Sequence, residues 1–316
     1  MRKTPRQKIP APPHPLHRLR KLPWQTPKPS EEDEAAPARV EALLHSESYR
    51  QADEDIAFLH RDESRGLRLQ LDYSKPELLL EQHGIHHTVV VFGGTRILEP
   101  AAARRKVEKL RKALQKHPDD RELKQQLKIA RRVQAKSHFY DVARDLGRLV
   151  GDSGSGPLDC RLVVMTGGGP GIMEAANRGA SDAGAKTIGL NITLPHEQYP
   201  NPYITPELCF RFHYFALRKM HFLLRAKALV AFPGGLGTLD ELFETLTLIQ
   251  TRKLAPLPVV LVGAGYWNKV FDFEFLVAEG VVDVEDRELF WFAESAQEIW
   301  EGILCWHENN GTPLFG

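Results

Sequence analysis

Residues 228–252 read ALVAFPGGLGTLDELFETLTLIQTR, and the fold can be worked out from this stretch. The run 228–232 is short and continuously apolar, as in a strand that is buried on both faces of a parallel sheet. Pro233 and three glycines then interrupt the chain. After Thr238 the apolar residues recur with the spacing of one helix face, namely Leu239, Leu242, Phe243, Leu246 and Ile249. The stretch therefore predicts a strand, a glycine-rich turn and a helix.

A turn of this kind can hold a phosphate. Glycines allow a ligand to approach the backbone closely, and the first N–H groups of a helix have no partner inside it. We therefore expect the N–H groups of Gly234, Gly235 and Gly237, with the Thr238 hydroxyl, to bind a phosphate. Glu241 falls one helical turn later, where it can reach the sugar of a nucleotide.

The same residues also have a purely structural interpretation. Thr238 and Glu241 have the spacing of a capping box, in which the threonine caps the helix and the glutamate bonds back to the cap. A cap needs only one residue, whereas this turn contains three glycines and a proline. The composition of the turn favours the phosphate interpretation.

Along the rest of the chain, apolar runs alternate with segments of helical spacing. The predicted strands are 88–92, 161–165, 186–190, 208–212, 228–232, 258–262 and 289–292. This alternation predicts an α/β fold, a Rossmann-like open parallel sheet with helices on both faces. Glycine-rich turns follow strands 88–92 and 161–165 as well. In such sheets ligands bind at the carboxyl ends of the strands, so we expect the three turns to converge.

Other segments surround this predicted domain, residues 87–316. Residues 1–36 are Pro-rich and begin with a basic, acid-free stretch, which predicts a disordered tail, with a transit peptide as the alternative. Residues 37–86 predict a helical extension packed on the core, with an extended piece at 67–71. Residues 99–136 predict an inserted helical hairpin. Residues 104–136 contain thirteen Lys or Arg and four Asp or Glu, which indicates a solvated face or, alternatively, a site for an anionic effector or nucleic acid.

Composition and motifs exclude several classes of function. The formal net charge of +1 gives no general attraction to nucleic acid or membranes, and no apolar run approaches the length of a membrane helix. Three widely spaced cysteines indicate unpaired thiols and a cytoplasmic location. The turn after strand 161–165 lacks the Gly-Lys-Ser/Thr of a Walker A loop and the last glycine of the dinucleotide fingerprint. We expect neither a cofactor nor a metal.

Three motifs resemble the Lonely Guy (LOG) family. The segment 233–241 matches its PGGxGTxxE signature, Arg218-Lys219 matches a pair fifteen residues before the signature proline, and 167–174 resembles its first glycine-rich loop. The resemblance extends over residues 88–306. LOG proteins are phosphoribohydrolases that act on cytokinin riboside 5′-monophosphates. The resemblance implies that Arg218 and Glu241 are catalytic, that the loop at 93–95 lines the nucleotide site, and that the protein is a homodimer.

From residues and resemblance together, we expect hydrolysis of the N-glycosidic bond of a nucleoside 5′-monophosphate to a free base and ribose 5-phosphate. The Glu241 carboxylate would stabilise the positive charge that develops on the ribose, and Arg218 would bind the substrate and hold Glu241. The expected substrate-binding residues are Gly93, Gly94, Thr95, Gly168, Gly169, Lys219, Gly234, Gly235, Gly237 and Thr238. The alternative is a non-catalytic protein that binds a nucleotide or the molybdenum cofactor in the same pocket. Membrane and nucleic-acid partners are not expected.

Overall fold

The computed structural model describes residues 10–18, 20–194 and 199–315. Their contacts divide the chain into a unit up to Arg68 and a unit from Leu69 onward. The first unit contains helices α1 (Ala36–Leu44) and α2 (Ile56–Leu59), and the division falls within α3 (Arg65–Gln82). The predicted disordered tail lies partly outside the described residues, at 1–9 and at 19. No helix in the described part of the chain is long and apolar enough to cross a membrane.

A seven-stranded sheet forms the centre of the second unit. Its strands are β1 (His87–Phe92), β2 (Leu162–Thr166), β3 (Thr187–Ile192), β4 (Cys209–Phe212), β5 (Ala226–Ala231), β6 (Val259–Val262) and β7 (Trp291–Ala293). Their order is β4-β3-β2-β1-β5-β6-β7, and every neighbouring pair is parallel. The strand order reverses between β1 and β5, which is the position where open α/β sheets bind ligands.

Helices cover both faces of the sheet. They are α4 (Pro100–Lys116), α5 (Arg121–Ala135), α6 (His138–Gly151), α7 (Ile172–Asp182), α8 (Phe215–Leu224), α9 (Leu236–Gln250), α10 (Ala264–Val270), α11 (Phe273–Ala278) and α12 (Ala296–Asn309). Alternate residues of each strand face opposite sides, so Val89 and Val91 pack with α6, α7 and α12. Val90 and Phe92 pack with α8, α9 and the end of α3. The predicted Rossmann-like fold is confirmed.

Helices α4 and α5 form the predicted hairpin. The break between them falls where the sequence has His117, Pro118 and two aspartates, and the Asp120 carboxylate caps α5 by accepting from Leu123 N at 2.9 Å. Most of the lysines and arginines of the hairpin are exposed. The inserted hairpin is therefore present as predicted, with its charges on the surface.

Two local predictions are wrong. Residues 67–71 are helical rather than extended. Their alternating leucines lie among residues with strong helix propensity and are exposed, so they do not pack on a sheet. The helix predicted at 266–279 is divided into α10 and α11. The division occurs at Asp272, whose side chain accepts from Phe275 N at 3.1 Å and starts a new helix.

Candidate active site

Three glycine-rich turns meet at the carboxyl edge of the sheet. We call them the β1 turn (residues 93–97), the β2 turn (167–171) and the β5 turn (233–237). Gly94 N donates to Pro233 O at 2.9 Å, which joins the β1 turn to the β5 turn. Ile172 N donates to Gly94 O at 3.3 Å, which joins the β1 turn to the end of the β2 turn. The structure thus brings together the three turns that the sequence places after separate strands.

Close contacts explain why two positions in these turns are glycine. A Cβ at Gly234 would lie 2.1 Å from Oγ1 of Thr238, so any side chain there would displace the start of α9. Gly171 has φ +75°, and a Cβ there would lie 2.4 Å from Gly94 O. Glycine at these positions allows the β5 turn to fold back on its helix and the β2 turn to contact the β1 turn.

The start of α9 decides between the two interpretations of Thr238 and Glu241. The N-cap of α9 is Gly235, and no side chain caps the helix. Thr238 lies inside the first turn, with its N–H bonded to Gly235 O at 3.0 Å. The capping-box interpretation is therefore wrong, because the helix begins three residues earlier than the pattern predicts. The first N–H groups of α9 have no acceptor within the helix, and the helix dipole favours an anion at this end.

An open cleft of about 670 Å³ lies over the β1 and β5 turns. Of the residues expected at the site, those that line it are Gly93, Gly94, Thr95, Arg218, Gly234, Gly235, Gly237, Thr238 and Glu241. Its volume falls within the range of about 300–1,000 Å³ that is usual for small-molecule sites. Nine of the twelve expected residues therefore share one cavity.

Glu241 is the buried carboxylate of this cleft. Only 6% of the residue is exposed, and within the described residues its carboxylate has no hydrogen-bond partner. Burial raises its pKa to about 7, and the nearby charges of Glu244 and Asp240 act in the same direction. The positive charges of Lys219 and Arg218 lower the pKa but do not outweigh burial. The carboxyl group can therefore exchange a proton near neutral pH.

Arg218 lies on α8 and reaches the same cleft. Its Nε donates to Leu190 O at 2.7 Å, which fixes the guanidinium at the end of β3. The side chain is largely buried against the rings of Phe215 and Phe222. The centroids of these rings lie 5.8 Å and 5.0 Å from the guanidinium carbon. Burial lowers the pKa of Arg218, and the negative charge of Glu241 opposes this. Arg218 thus presents a desolvated positive charge to the space that Glu241 also lines.

The other three expected residues do not line the cleft. Lys219 points to the outer side of α9, where its Nζ lies 2.9 Å from Asp240 and 2.8 Å from Glu244. These hydrogen bonds raise its pKa, although burial acts in the opposite direction. Gly168 and Gly169 lie in the β2 turn and are not among the residues that line the cleft. Lys219 can act on the cleft through its charge, which lowers the pKa of Glu241.

The β2 turn is held by a buried network of side-chain amides and hydroxyls. Thr166 Oγ1 accepts from Gly168 N at 3.0 Å and donates to Asn177 Oδ1 at 2.7 Å. Asn201 donates from Nδ2 to Asn177 Oδ1 at 2.9 Å and to Gly169 O at 3.1 Å. This network leaves the backbone of the turn against Arg218, since a Cβ at Gly167 would lie 2.6 Å from Nη2 of Arg218. The turn therefore supports the guanidinium.

Sequence reasoning missed several residues of the cleft wall. They are Phe92, Arg96, Ile97, Lys136, Met173, Ile192, Leu194, Phe215, Pro233, Leu236 and Tyr266. Tyr266 could have been found, because it follows β6 at the same sheet edge, and its hydroxyl donates to Gly234 O. Lys136, at the end of the hairpin, gave no signal among the many basic residues around it.

Comparison with known proteins identifies the family of the chain. The family described as "Possible lysine decarboxylase" matches residues 173–303. The cytokinin riboside 5′-monophosphate phosphoribohydrolase LOG3 of Arabidopsis thaliana is 31% identical over 57% of this chain and 82% of its own length. LOG4 of the same plant is 30% identical over the same shares of both chains. A solved structure, the molybdenum cofactor binding protein of Rippkaea orientalis, is similar at 25% identity and a TM-score of 0.36, over 52% of this chain and 85% of that one. With more than four-fifths of LOG3 matched at this identity, the chain belongs to the LOG family.

Proposed function

We propose that the protein hydrolyses the N-glycosidic bond of a nucleoside 5′-monophosphate, releasing the free base and ribose 5-phosphate. The observation that carries the proposal is Glu241, a buried carboxylate without a hydrogen-bond partner among the described residues, on the wall of the cleft. A buried, unpaired acid destabilises a fold, so its presence in a cleft indicates a chemical use. The names of the Arabidopsis relatives support the same reaction.

The phosphate would lie against the β5 turn and the start of α9. The helix dipole and the unpaired N–H groups of the first turn favour an anion here. Arg96 and Lys136 also line the cleft, and neither forms an ion pair with an acidic residue of the described chain. Their charges would attract the doubly charged phosphate monoester into the cleft.

The base would contact the apolar part of the wall. Met173, Ile192, Leu194 and Phe215 line the cleft together with Arg218. Aromatic and aliphatic side chains bind the faces of a heterocycle, whereas the charged groups belong with the phosphate and the ribose. This distribution of polar and apolar lining fits a nucleotide along the cleft.

In the reaction, a water oxygen forms a bond to C1′ of the ribose while the bond from C1′ to the base nitrogen breaks. The electron pair of the broken bond stays on the base, and the ribose ring carries positive charge in the transition state. Ionised Glu241 stabilises that charge and takes the proton of the water, which is then returned to the base. Arg218 holds the substrate beside the carboxylate. Its positive charge also keeps part of Glu241 ionised near neutral pH.

Incubation with a panel of nucleoside 5′-monophosphates tests this function. We expect at least one to give free base and ribose 5-phosphate in equal amounts, and the matching nucleosides, which lack the phosphate, to react far more slowly. Chromatography of the base and an enzymatic assay of ribose 5-phosphate measure both products. Tight binding of the nucleotides without release of any base would instead support the alternative of a binding protein.

We also propose that the protein is a homodimer that associates through α8 and α9. These two helices expose large apolar side chains, among them Phe215, Met220, Leu224 and Phe243, which a monomer would leave in water. Light scattering at micromolar concentration is expected to give twice the monomer mass of 35.7 kDa. A monomer mass would contradict this part of the proposal.

A further inference from the structure

The N-terminal end of helix α8, which carries Arg218, is bonded to another helix. None of its own side chains caps it. Instead, the carboxylate of Asp72 on α3 accepts from Tyr214 N at 2.8 Å and from His213 N at 3.1 Å. A carboxylate at this end also complements the helix dipole. The start of α8 is therefore fixed by a residue that lies about 140 positions earlier in the chain.

The same part of α3 contacts the last turn and the C-cap of α8. His221 is 2% exposed, its Nε2 lies 3.1 Å from Tyr73 O, and its ring contacts those of Tyr73 and Phe212. At the C-terminal end, Glu77 forms an ion pair with Arg225. One stretch of α3, residues 72–77, thus contacts both ends of α8.

The position of Arg218 depends on this attachment. The hydrogen bond from its Nε to Leu190 O is made across the sheet edge, so the guanidinium can remain there only while α8 keeps its place. A displacement of about 1 Å in a catalytic group can reduce a rate by roughly 100-fold. A change in α3 can therefore lower the rate of the reaction, although no residue of α3 lines the cleft.

We propose that residues 72–77 of α3 form a clamp that positions Arg218, and that Asp72 is its principal positioning residue. The proposal rests on the function proposed above, because it assumes that Arg218 acts on the substrate. Neither Asp72 nor His221 lines the cleft. They act by holding the helix from which Arg218 extends.

The kinetic test compares Asp72→Ala with two matched variants. Glu81→Ala removes an exposed acid from the same helix, and Asp72→Asn keeps an oxygen that can accept from the N–H groups of His213 and Tyr214. We expect Asp72→Ala to lower kcat/KM at least about 10-fold, Asp72→Asn to stay within about 3-fold, and Glu81→Ala to match the wild type. In a background of Arg218→Lys, the further effect of Asp72→Ala should largely disappear, because both changes disturb the same group. A full, multiplicative effect in that background would overturn the proposal, as would unchanged kcat/KM of folded Asp72→Ala.

Amide hydrogen exchange provides a second measurement that does not need turnover. Asp72→Ala is expected to exchange the amides of residues 213–224 at least about 10-fold faster, whereas Glu81→Ala leaves them unchanged. If the wild type releases no base from any nucleotide, the proposed function fails while this experiment still decides whether the clamp exists. If Asp72→Ala does not fold, faster exchange of the same amides in Glu77→Ala, which removes the ion pair with Arg225, supports the clamp. Wild-type protection in whichever of these two alanine variants folds would refute it.

Discussion

The β2 turn and the β5 turn are both glycine-rich segments between a buried strand and a helix, yet they differ in how their polar groups are used. In the β2 turn, the backbone of Gly168 and Gly169 is bonded to Thr166 and Asn201. In the β5 turn, the Tyr266 hydroxyl is bonded to Gly234 O, but Glu241 one turn later lines the cleft and has no hydrogen-bond partner among the described residues. Similar sequences therefore form two different turns: the β2 turn supports Arg218, and the β5 turn lines the cleft.

The difference shows what distinguishes a binding turn from a structural one. Glycines only make both functions possible, since they allow tight turns and close approach of the backbone. What separates the two turns is the cleft over the β5 turn, where the Glu241 carboxylate has no hydrogen-bond partner among the described residues. Buried polar groups are normally paired, so a cleft that leaves a carboxylate and helix N–H groups without protein partners is suited to a ligand.

The largest effect is expected from Gly234→Ala in the β5 turn. Its Cβ would meet Oγ1 of Thr238 at 2.1 Å, whereas a Cβ at Gly235 has no atom within 4 Å. We expect Gly234→Ala to lower kcat/KM by more than about 100-fold, because it moves the start of α9, and Gly235→Ala to stay within about 5-fold. Equal effects of the two substitutions on base release would show that the geometry of the turn does not control the site.

In the β2 turn the expected effect is on stability rather than catalysis. Asn201→Ala removes the amide group that donates to Gly169 O and to Asn177 Oδ1. We expect this loss to lower the free energy of unfolding by about 1–3 kcal/mol. At temperatures well below unfolding, kcat/KM should fall less than about 10-fold. Urea unfolding measures the first quantity, with Asn309→Ala on the surface as the control. A loss of activity as large as that of Gly234→Ala would remove the distinction between the two turns.

A smaller effect should appear in the pH dependence of stability. Folding raises the pKa of Glu241 from its ordinary 4.5 to about 7, so between these values the folded state binds more protons than the unfolded chain. The free energy of unfolding should therefore fall as the pH rises through this window. Glu241→Gln removes this contribution, and we expect it to stabilise the protein by about 1–3 kcal/mol more at pH 8.5 than at pH 4.5. If Glu241→Gln changed the free energy of unfolding equally at both pH values, the carboxyl group of Glu241 would have its ordinary pKa.

The fold and much of the cleft could be predicted from the sequence because their signals are local. Apolar runs such as 228–232 mark strands, and glycine turns after them must lie at one edge of a parallel sheet. The exact start of α9 could not be predicted, since Thr238 is a good cap residue, yet its side chain lies close to Gly234 and the N-cap is Gly235.

The remaining features depend on contacts between distant parts of the chain. Asp72 has no pattern that links it to α8, and Lys136 is one of many basic residues in and beside the hairpin. The different environments of Gly168 and Gly234 also arise from side chains elsewhere, such as Asn201. Local sequence cannot reveal these contacts, because they are fixed only when the elements pack.

The most direct test of the account is Glu241→Gln, assayed with AMP for base release and for binding. The substitution preserves the shape of the side chain and removes the charge that stabilises the ribose in the transition state. We predict that base release falls at least about 100-fold while AMP binding stays within about 3-fold, and that Glu279→Gln, which changes an exposed acid outside the cleft, behaves as the wild type. Near-normal base release by Glu241→Gln would contradict the account, since the buried carboxylate would then have no part in the reaction.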